Sequence, residues 1–209
     1  MSSARIKICG ITNIADAKHA IELGVDYLGF IFADSPRKLN VAQAAEIANA
    51  IPAQIGKVGV FVDEDRRVVT SAIRSAGLDI VQLHGQESPN YCSQIGIPVI
   101  KVFRTHSPDR DIFEHISKYD TEFYLLEPFV PGLAGGTGKT ADWPLAARII
   151  SHFPDRKFFL AGGLSPQNVV PAIRGVRPFA VDASSGVEDS PGVKNSGKMK
   201  SFIKAVRAL

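Results

Sequence analysis

Cysteine is scarce in this chain: its 209 residues hold two, Cys9 and Cys92. Neither sits at metal-ligand spacing, and two cysteines make no disulfide framework in a chain of this length. A reducing cytoplasm is therefore the expected location. Long apolar runs are missing as well. No stretch approaches the roughly 18 apolar residues of a membrane span, and Met1 to Thr12 hold no apolar segment that would serve as a secretory signal. Charge of one sign is nowhere concentrated. The 24 Lys and Arg against 21 Asp and Glu leave a formal net charge of +3, with both signs mixed along the chain. Lacking a basic tail or an aromatic-basic stripe, the chain is not expected to bind nucleic acid, and no membrane contact is expected either. Linkers, low-complexity segments and shifts of composition are absent too, so residues 1–209 read as one domain.

What is present is a rhythm. Short runs of Val, Ile, Leu and Phe alternate with amphipathic stretches of helical period. The runs are Arg5–Cys9, Tyr27–Phe32, Lys57–Val62, Ile80–Leu83, Val99–Phe103, Phe123–Leu126, Lys157–Ala161 and Phe179–Asp182. Between them, a helix capped by Thr12 or Asn13 is stopped by Gly24. Further helices read as Val41–Ala50, Arg66–Ala76, a short Pro89–Ile95, a short Asp111–Lys118, Trp143–Ser151 and Ser196–Ala208. Repeated strand-then-helix order forces parallel pairing with right-handed crossovers. Eight such units close into an α/β (β/α)8 TIM barrel, whereas five or six would leave an open doubly wound sheet. The eight strands favour the barrel.

Chemistry in that architecture sits where strands end and the following loops begin. Cys9 ends the first strand, in Lys7-Ile8-Cys9-Gly10-Ile11-Thr12. It is either a small buried core residue or a thiol base whose pKa is lowered by nearby positive charge. Lys7 is set aside as facing elsewhere. Arg37 follows the second strand in Ser35-Pro36-Arg37, and is either a solvated charge or a planar fork for a carboxylate. Gln82 and His84 share a face at the end of the fourth strand, where they either bind a ligand or satisfy each other. Glu127 ends the sixth strand. Burial there would raise its pKa, which suits a general acid; the alternative is a salt bridge at the rim.

The run Gly132 to Thr140 invites a P-loop reading, but the glycine required five residues before Gly138 is Leu133. A lid or substrate-binding loop fits better. The seventh strand ends Ala161-Gly162-Gly163-Leu164-Ser165-Pro166, with Asn168 just inside the next helix. The eighth ends Asp182-Ala183-Ser184-Ser185-Gly186. Small residues at these two tips let backbone N–H groups approach an anion, and the loops after strands seven and eight are the usual phosphate site of the barrel. A small phosphorylated molecule is the expected partner.

Taken in order, Lys7–Thr12, Ser35-Pro36-Arg37, Gln82-Leu83-His84-Gly85, Gly135-Gly136-Thr137-Gly138, Asp142-Trp143, Ala161-Gly162-Gly163-Leu164 and Val181–Glu188 resemble the phosphoribosylanthranilate isomerase family from residue 5 to the C-terminal helix. The resemblance implies an Amadori rearrangement in tryptophan biosynthesis that needs no cofactor and no metal. A general acid opens the phosphoribosyl ring, and a general base then removes the proton from C2 of the sugar. It further implies Cys9 as the base and Arg37 as the holder of the anthranilate carboxylate. Asp182 would lie near the ribose, Gly163, Ser184 and Ser185 in the phosphate loops, and Gln82 and His84 in the pocket wall. One position departs: where the family has an aspartate as acid, this chain has Glu127 followed by Pro128. The extra methylene adds about 1.5 Å of reach, and a misplacement of that order costs around a hundredfold in rate.

Two other functions remain open on the sequence. Another sugar-phosphate barrel enzyme would share the phosphate loops without needing both Cys9 and Arg37. A non-catalytic metabolite-binding barrel would keep Arg37 and the phosphate loops while losing the need for an acid and a base. Metal-dependent barrels require His and carboxylate ligands at several strand tips, and only His84 is offered at a clear one. Both monomer and homodimer are compatible with a barrel of this size.

Overall fold

The computed structural model describes residues 4–105, 111–128 and 142–209. Eight parallel strands close in chain order into a barrel: β1 (Arg5–Cys9), β2 (Tyr27–Ile31), β3 (Gly56–Phe61), β4 (Ile80–Leu83), β5 (Val99–Arg104), β6 (Phe123–Glu127), β7 (Lys157–Leu160) and β8 (Ala180–Ala183). They differ from the runs read in the sequence by no more than one residue at either end. The helices are α1 (Ile14–Glu22), α2 (Val41–Asn49), α3 (Arg66–Ala76), α4 (Pro89–Ser93), α5 (Ile112–Ser117), α6 (Trp143–His152), α7 (Val169–Val176) and α8 (Ser196–Arg207). Asn13 caps α1 by accepting from the Asp16 N–H, and Asn40 and Gln43 form a reciprocal capping box at α2. Asn168 precedes α7 rather than lying inside it. Beyond β8 the chain makes a 3-10 turn (Ser185–Val187) and an antiparallel hairpin of β9 (Glu188–Ser190) and β10 (Val193–Lys194), none of which the sequence pattern announced. The glycine-rich run 132–140, read as a lid, lies outside the described residues. Among the described residues no helix is long and apolar enough to cross a membrane.

Strand alternation sorts the side chains into two cores. On β6, Tyr124 and Leu126 point out to the helix layer, while Phe123, Leu125 and Glu127 point to the barrel axis. The axis is graded along its length. Tyr27, Phe123, Phe159 and Phe179 fill the end where the strands begin, with ring centroids 5.4 to 5.8 Å apart. Ile80, Ile100, Val102 and Leu125 occupy the middle. Polar side chains take over toward the ends of the strands, with Lys7 in the middle of β1 the deepest of them. The barrel thus has one closed end and one chemical end.

Lys7 corrects an expectation. It stands two residues before Cys9, so the pleat puts both on the same face. Its side chain is fully buried, opposite Asp182 across the seam between β1 and β8.

A second buried ion pair shapes the chemical end from outside the barrel. Lys101 on β5 donates to Glu87 Oε2 at 2.9 Å and to the carbonyls of Leu83 and Gly85, which flank His84. Burial alone would raise the Glu87 carboxyl. Lys101 and backbone N–H donors outweigh it and hold the group below its ordinary value, so this stabilisation is lost as pH falls through that depressed pKa. Lys101 and Glu87 side chains are each only 2% exposed. Lys101→Met, which strands the carboxylate, is expected to lower stability by about 3–5 kcal/mol in urea denaturation.

Candidate active site

The nine residues singled out from the sequence line one cavity of about 430 Å³ at the C-terminal end of the strands, within the usual size of small-ligand pockets. Cys9 ends β1, Arg37 lies in the loop after β2, Gln82 is the penultimate residue of β4 with His84 just beyond its end, and Glu127 ends β6. Gly163 follows β7, Asp182 lies on β8, and Ser184 and Ser185 follow it.

On one wall, Glu127 Oε1 lies 2.7 Å from His84 Nε2 and 3.3 Å from Arg104 Nε. Burial pushes the Glu127 carboxyl up, but His84 and then Arg104 overcome that push and hold it below the ordinary carboxylate value. The sequence reading expected the opposite shift, because it saw burial and not the two partners. A carboxylate only accepts, so the proton in the 2.7 Å contact belongs to His84 Nε2. Gln82 Nε2 stands 3.3 Å from His84 Nδ1 and completes the row. Gln82 and His84 thus contact each other and face the cavity at once, while Gln82 Oε1 is buried with no hydrogen-bond partner among the described residues.

On the facing wall, Cys9 is 7% exposed. Burial pushes its thiol above the ordinary value; Lys7 and Lys194 pull it down, Asp182 pushes it up, and the net shift is upward. Positive charge is present, as a lowered pKa would require, but desolvation wins. Free Cys9 is a thiol at neutral pH.

Arg37 sends Nε and Nη2 to Glu188 at 2.6 to 3.1 Å, and is 8% exposed. One edge of the guanidinium is therefore held by the protein, and three further N–H donors remain on the fork. Glu188 also accepts from Lys194 Nζ at 2.7 Å, and the same ammonium donates to the Cys9 carbonyl at 2.6 Å. Burial would raise the Glu188 carboxyl, but Arg37 and Lys194 hold it low. The hairpin after β8 thus ties the tips of β1 and β8 to the arginine.

The last two loops form the rim. Asn168 accepts from the Ser165 N–H and donates to the Gly163 carbonyl, both at 2.8 Å, which pins the turn after β7. Gly163 takes φ +59 there, a left-handed conformation that favours glycine. Among the described residues no cluster of His, Cys, Asp and Glu is arranged to hold a metal ion.

A family model described as N-(5'phosphoribosyl)anthranilate (PRA) isomerase matches residues 6–205. The chain belongs to the N-(5'-phosphoribosyl)anthranilate isomerase family. It is 43% identical over 201 residues to the N-(5'-phosphoribosyl)anthranilate isomerase of Trichlorobacter lovleyi, covering 96% of each chain. The phosphoribosyl anthranilate isomerase of Thermotoga maritima superposes with a TM-score of 0.88 at 39% identity, over 99% of this chain and 100% of that one. A phosphoribosyl anthranilate isomerase solved with reduced 1-(o-carboxyphenylamino)-1-deoxyribulose 5-phosphate gives a TM-score of 0.83 at 38% identity, over 99% and 100%.

For this member of the isomerase family the sequence reading missed Lys7, Arg104, Glu188 and Lys194 as neighbours of the site, and two glycines that make room for it. Lys7 was legible from its spacing to Cys9, Glu188 stood in the motif already quoted, and Arg104 followed the fifth run on the parity of Ile100 and Val102; Lys194 carried no signal. Gly29 on β2 faces Cys9, and a Cβ there would stand 2.7 Å from the sulfur. At Gly186 a Cβ would collide with the Leu164 carbonyl, so the two rim loops touch through backbone. Gly186→Ala must part them. We expect KM for a phosphorylated substrate to rise roughly tenfold or more with a smaller change in kcat, read by steady-state kinetics.

Proposed function

We propose that the chain catalyses the Amadori rearrangement of N-(5'-phosphoribosyl)anthranilate to 1-(2-carboxyphenylamino)-1-deoxyribulose 5-phosphate in tryptophan biosynthesis, with Glu127 as acid and Cys9 as base. The observation that carries the assignment is the placement of these two groups on facing walls of one cavity whose rim is the paired loops of Gly163, Ser184 and Ser185. Backbone N–H groups of those loops suit the phosphate. The free edge of Arg37 suits the anthranilate carboxylate, since a guanidinium already fixed by Glu188 loses little freedom on binding. Asp182 is placed to accept from ribose hydroxyls.

Glu127 gives its proton to the ring oxygen as the C1–O bond breaks and the anilino nitrogen forms the iminium. Cys9 removes the hydrogen from C2, the pair becomes the C1–C2 double bond, and the electrons of the iminium return to nitrogen. The resulting enolamine is protonated at C1 and loses its C2 hydroxyl proton to give the ketone. The iminium is the electron sink, so proximity and orientation count more than base strength. His84 and Arg104 orient Glu127. A cytoplasmic location fits two buried free cysteines.

The decisive assay is turnover of N-(5'-phosphoribosyl)anthranilate followed by loss of its fluorescence. Saturable decay that depends on the protein supports the assignment; binding without decay would favour a non-catalytic barrel and overturn it.

A further inference from the structure

Lys7 has no role in the steps above, yet its ammonium is completely buried inside the barrel. An uncompensated charge there would cost several kcal/mol, and an apolar side chain would fill the space more cheaply. Its Nζ donates to Asp182 Oδ2 at 2.8 Å and also interacts with the Cys9 sulfur one layer above. The other carboxylate oxygen, Asp182 Oδ1, is buried and has no hydrogen-bond partner among the described residues, and Asp182 lines the cavity. A buried orphan acceptor at a cavity wall is a place for a ligand donor.

We propose that Lys7 is a positioning residue for the base: its ammonium, held by Asp182 beside Cys9, shifts toward the sulfur when a sugar hydroxyl donates to Asp182 Oδ1, so that the thiolate fraction rises as substrate seats. The inference rests on the reading of Cys9 as base. The charges around the sulfur are few. Lys7 lies on its own strand, Asp182 on β8 and Lys194 on β10. Arg37 approaches from the loop after β2, with Glu188 of β9 drawing off part of its charge. Glu127 and His84 stand on the facing wall. Gly29 of β2, whose absent Cβ leaves the sulfur its space, adds none. Of these, Lys7 stands on the same face of β1 as the sulfur, acts on it as a positive charge, and is bound to a carboxylate with a free oxygen at the cavity. A hydroxyl bound to that oxygen disperses its negative charge, which weakens its pull on Lys7 and its repulsion of a thiolate. The proton leaving sulfur is released to solvent through the cavity that Cys9 lines.

The test is a titration of Cys9 by carbon-13 NMR of Cβ-labelled cysteine, in a Cys92→Ser background that leaves one thiol. It is run free, with inorganic phosphate, and with reduced 1-(o-carboxyphenylamino)-1-deoxyribulose 5-phosphate. The reduced product analogue should lower the Cys9 pKa by about one unit or more, a tenfold gain in thiolate, while phosphate alone should not. Asp182→Asn should lower it without ligand. Lys7→Met should raise it and remove the response to the analogue. Should Lys7→Met fail to fold, Lys7→Gln, which removes the charge but keeps a polar donor, takes its place with the same expectation. A thiol that titrates identically in all forms overturns the inference while a dead Cys9→Ser variant leaves the base assignment standing. Full turnover by Cys9→Ser overturns that assignment whatever the titration shows.

Discussion

Cys9→Ser and Glu127→Gln should each lower kcat by about 10²–10⁴-fold while binding of the reduced product analogue changes only a few-fold. Serine keeps the volume at the end of β1 but replaces the thiol with a hydroxyl far too weakly acidic to serve as a base. Glutamine keeps the shape of Glu127 and a carbonyl acceptor for His84 and Arg104, but has no carboxyl proton to give. Stopped-flow fluorescence separates the chemical step from product release, and calorimetry with the analogue measures binding. A kcat within a few-fold of wild type in both variants would reject the roles. The Gln variant is the more informative, because Glu127 carries the proton that the proposed ring opening needs.

The pH profile of kcat/KM should be level across the neutral range and fall about tenfold per unit beyond each end. Under the proposed roles, turnover needs protonated Glu127 and ionised Cys9. The free enzyme holds the reverse arrangement, because His84 and Arg104 depress the carboxyl against burial while burial raises the thiol. Both forms carry the same number of protons, so between the two pKa values their ratio does not change with pH. Below the depressed carboxyl value both groups are protonated and activity rises with pH; above the elevated thiol value both are ionised and it falls. The acid-side break therefore belongs to Glu127 and the alkaline one to Cys9. In Glu127→Gln the residual rate should climb tenfold per unit up to the alkaline break, with no neutral plateau. A plateau that survives this substitution would refute the assignment.

How much of this was legible beforehand varies with the kind of interaction. Each strand is buried on both faces and reads as a short apolar run, so β1 to β8 emerged with their ends almost fixed. Polar residues ending such runs stood out, which is why Cys9, Gln82, Glu127 and Asp182 were found. Their states were not. Glu127 was expected to be raised because its strand is apolar, but Arg104 pairs with it across the β5–β6 register and His84 arrives from β4. Lys7 meets Asp182 only because the barrel closes across 175 positions of chain. Arg37 and Glu188, separated by 151 positions, likewise find each other through the hairpin after β8, whose short strands carry no periodic signal. Local pattern places a side chain on a face; only closure of the sheet decides its charge.

The four aromatic rings at the opposite end of the axis bear on the fate of hydrogen rather than on stability. With those rings packed together at that end, a hydrogen collected by the sulfur faces, among the described residues, the mouth that the proposed sugar would occupy. Deuterium installed at C2 should then reappear largely at C1 of the product, as mass spectrometry of single-turnover samples in ordinary water would reveal.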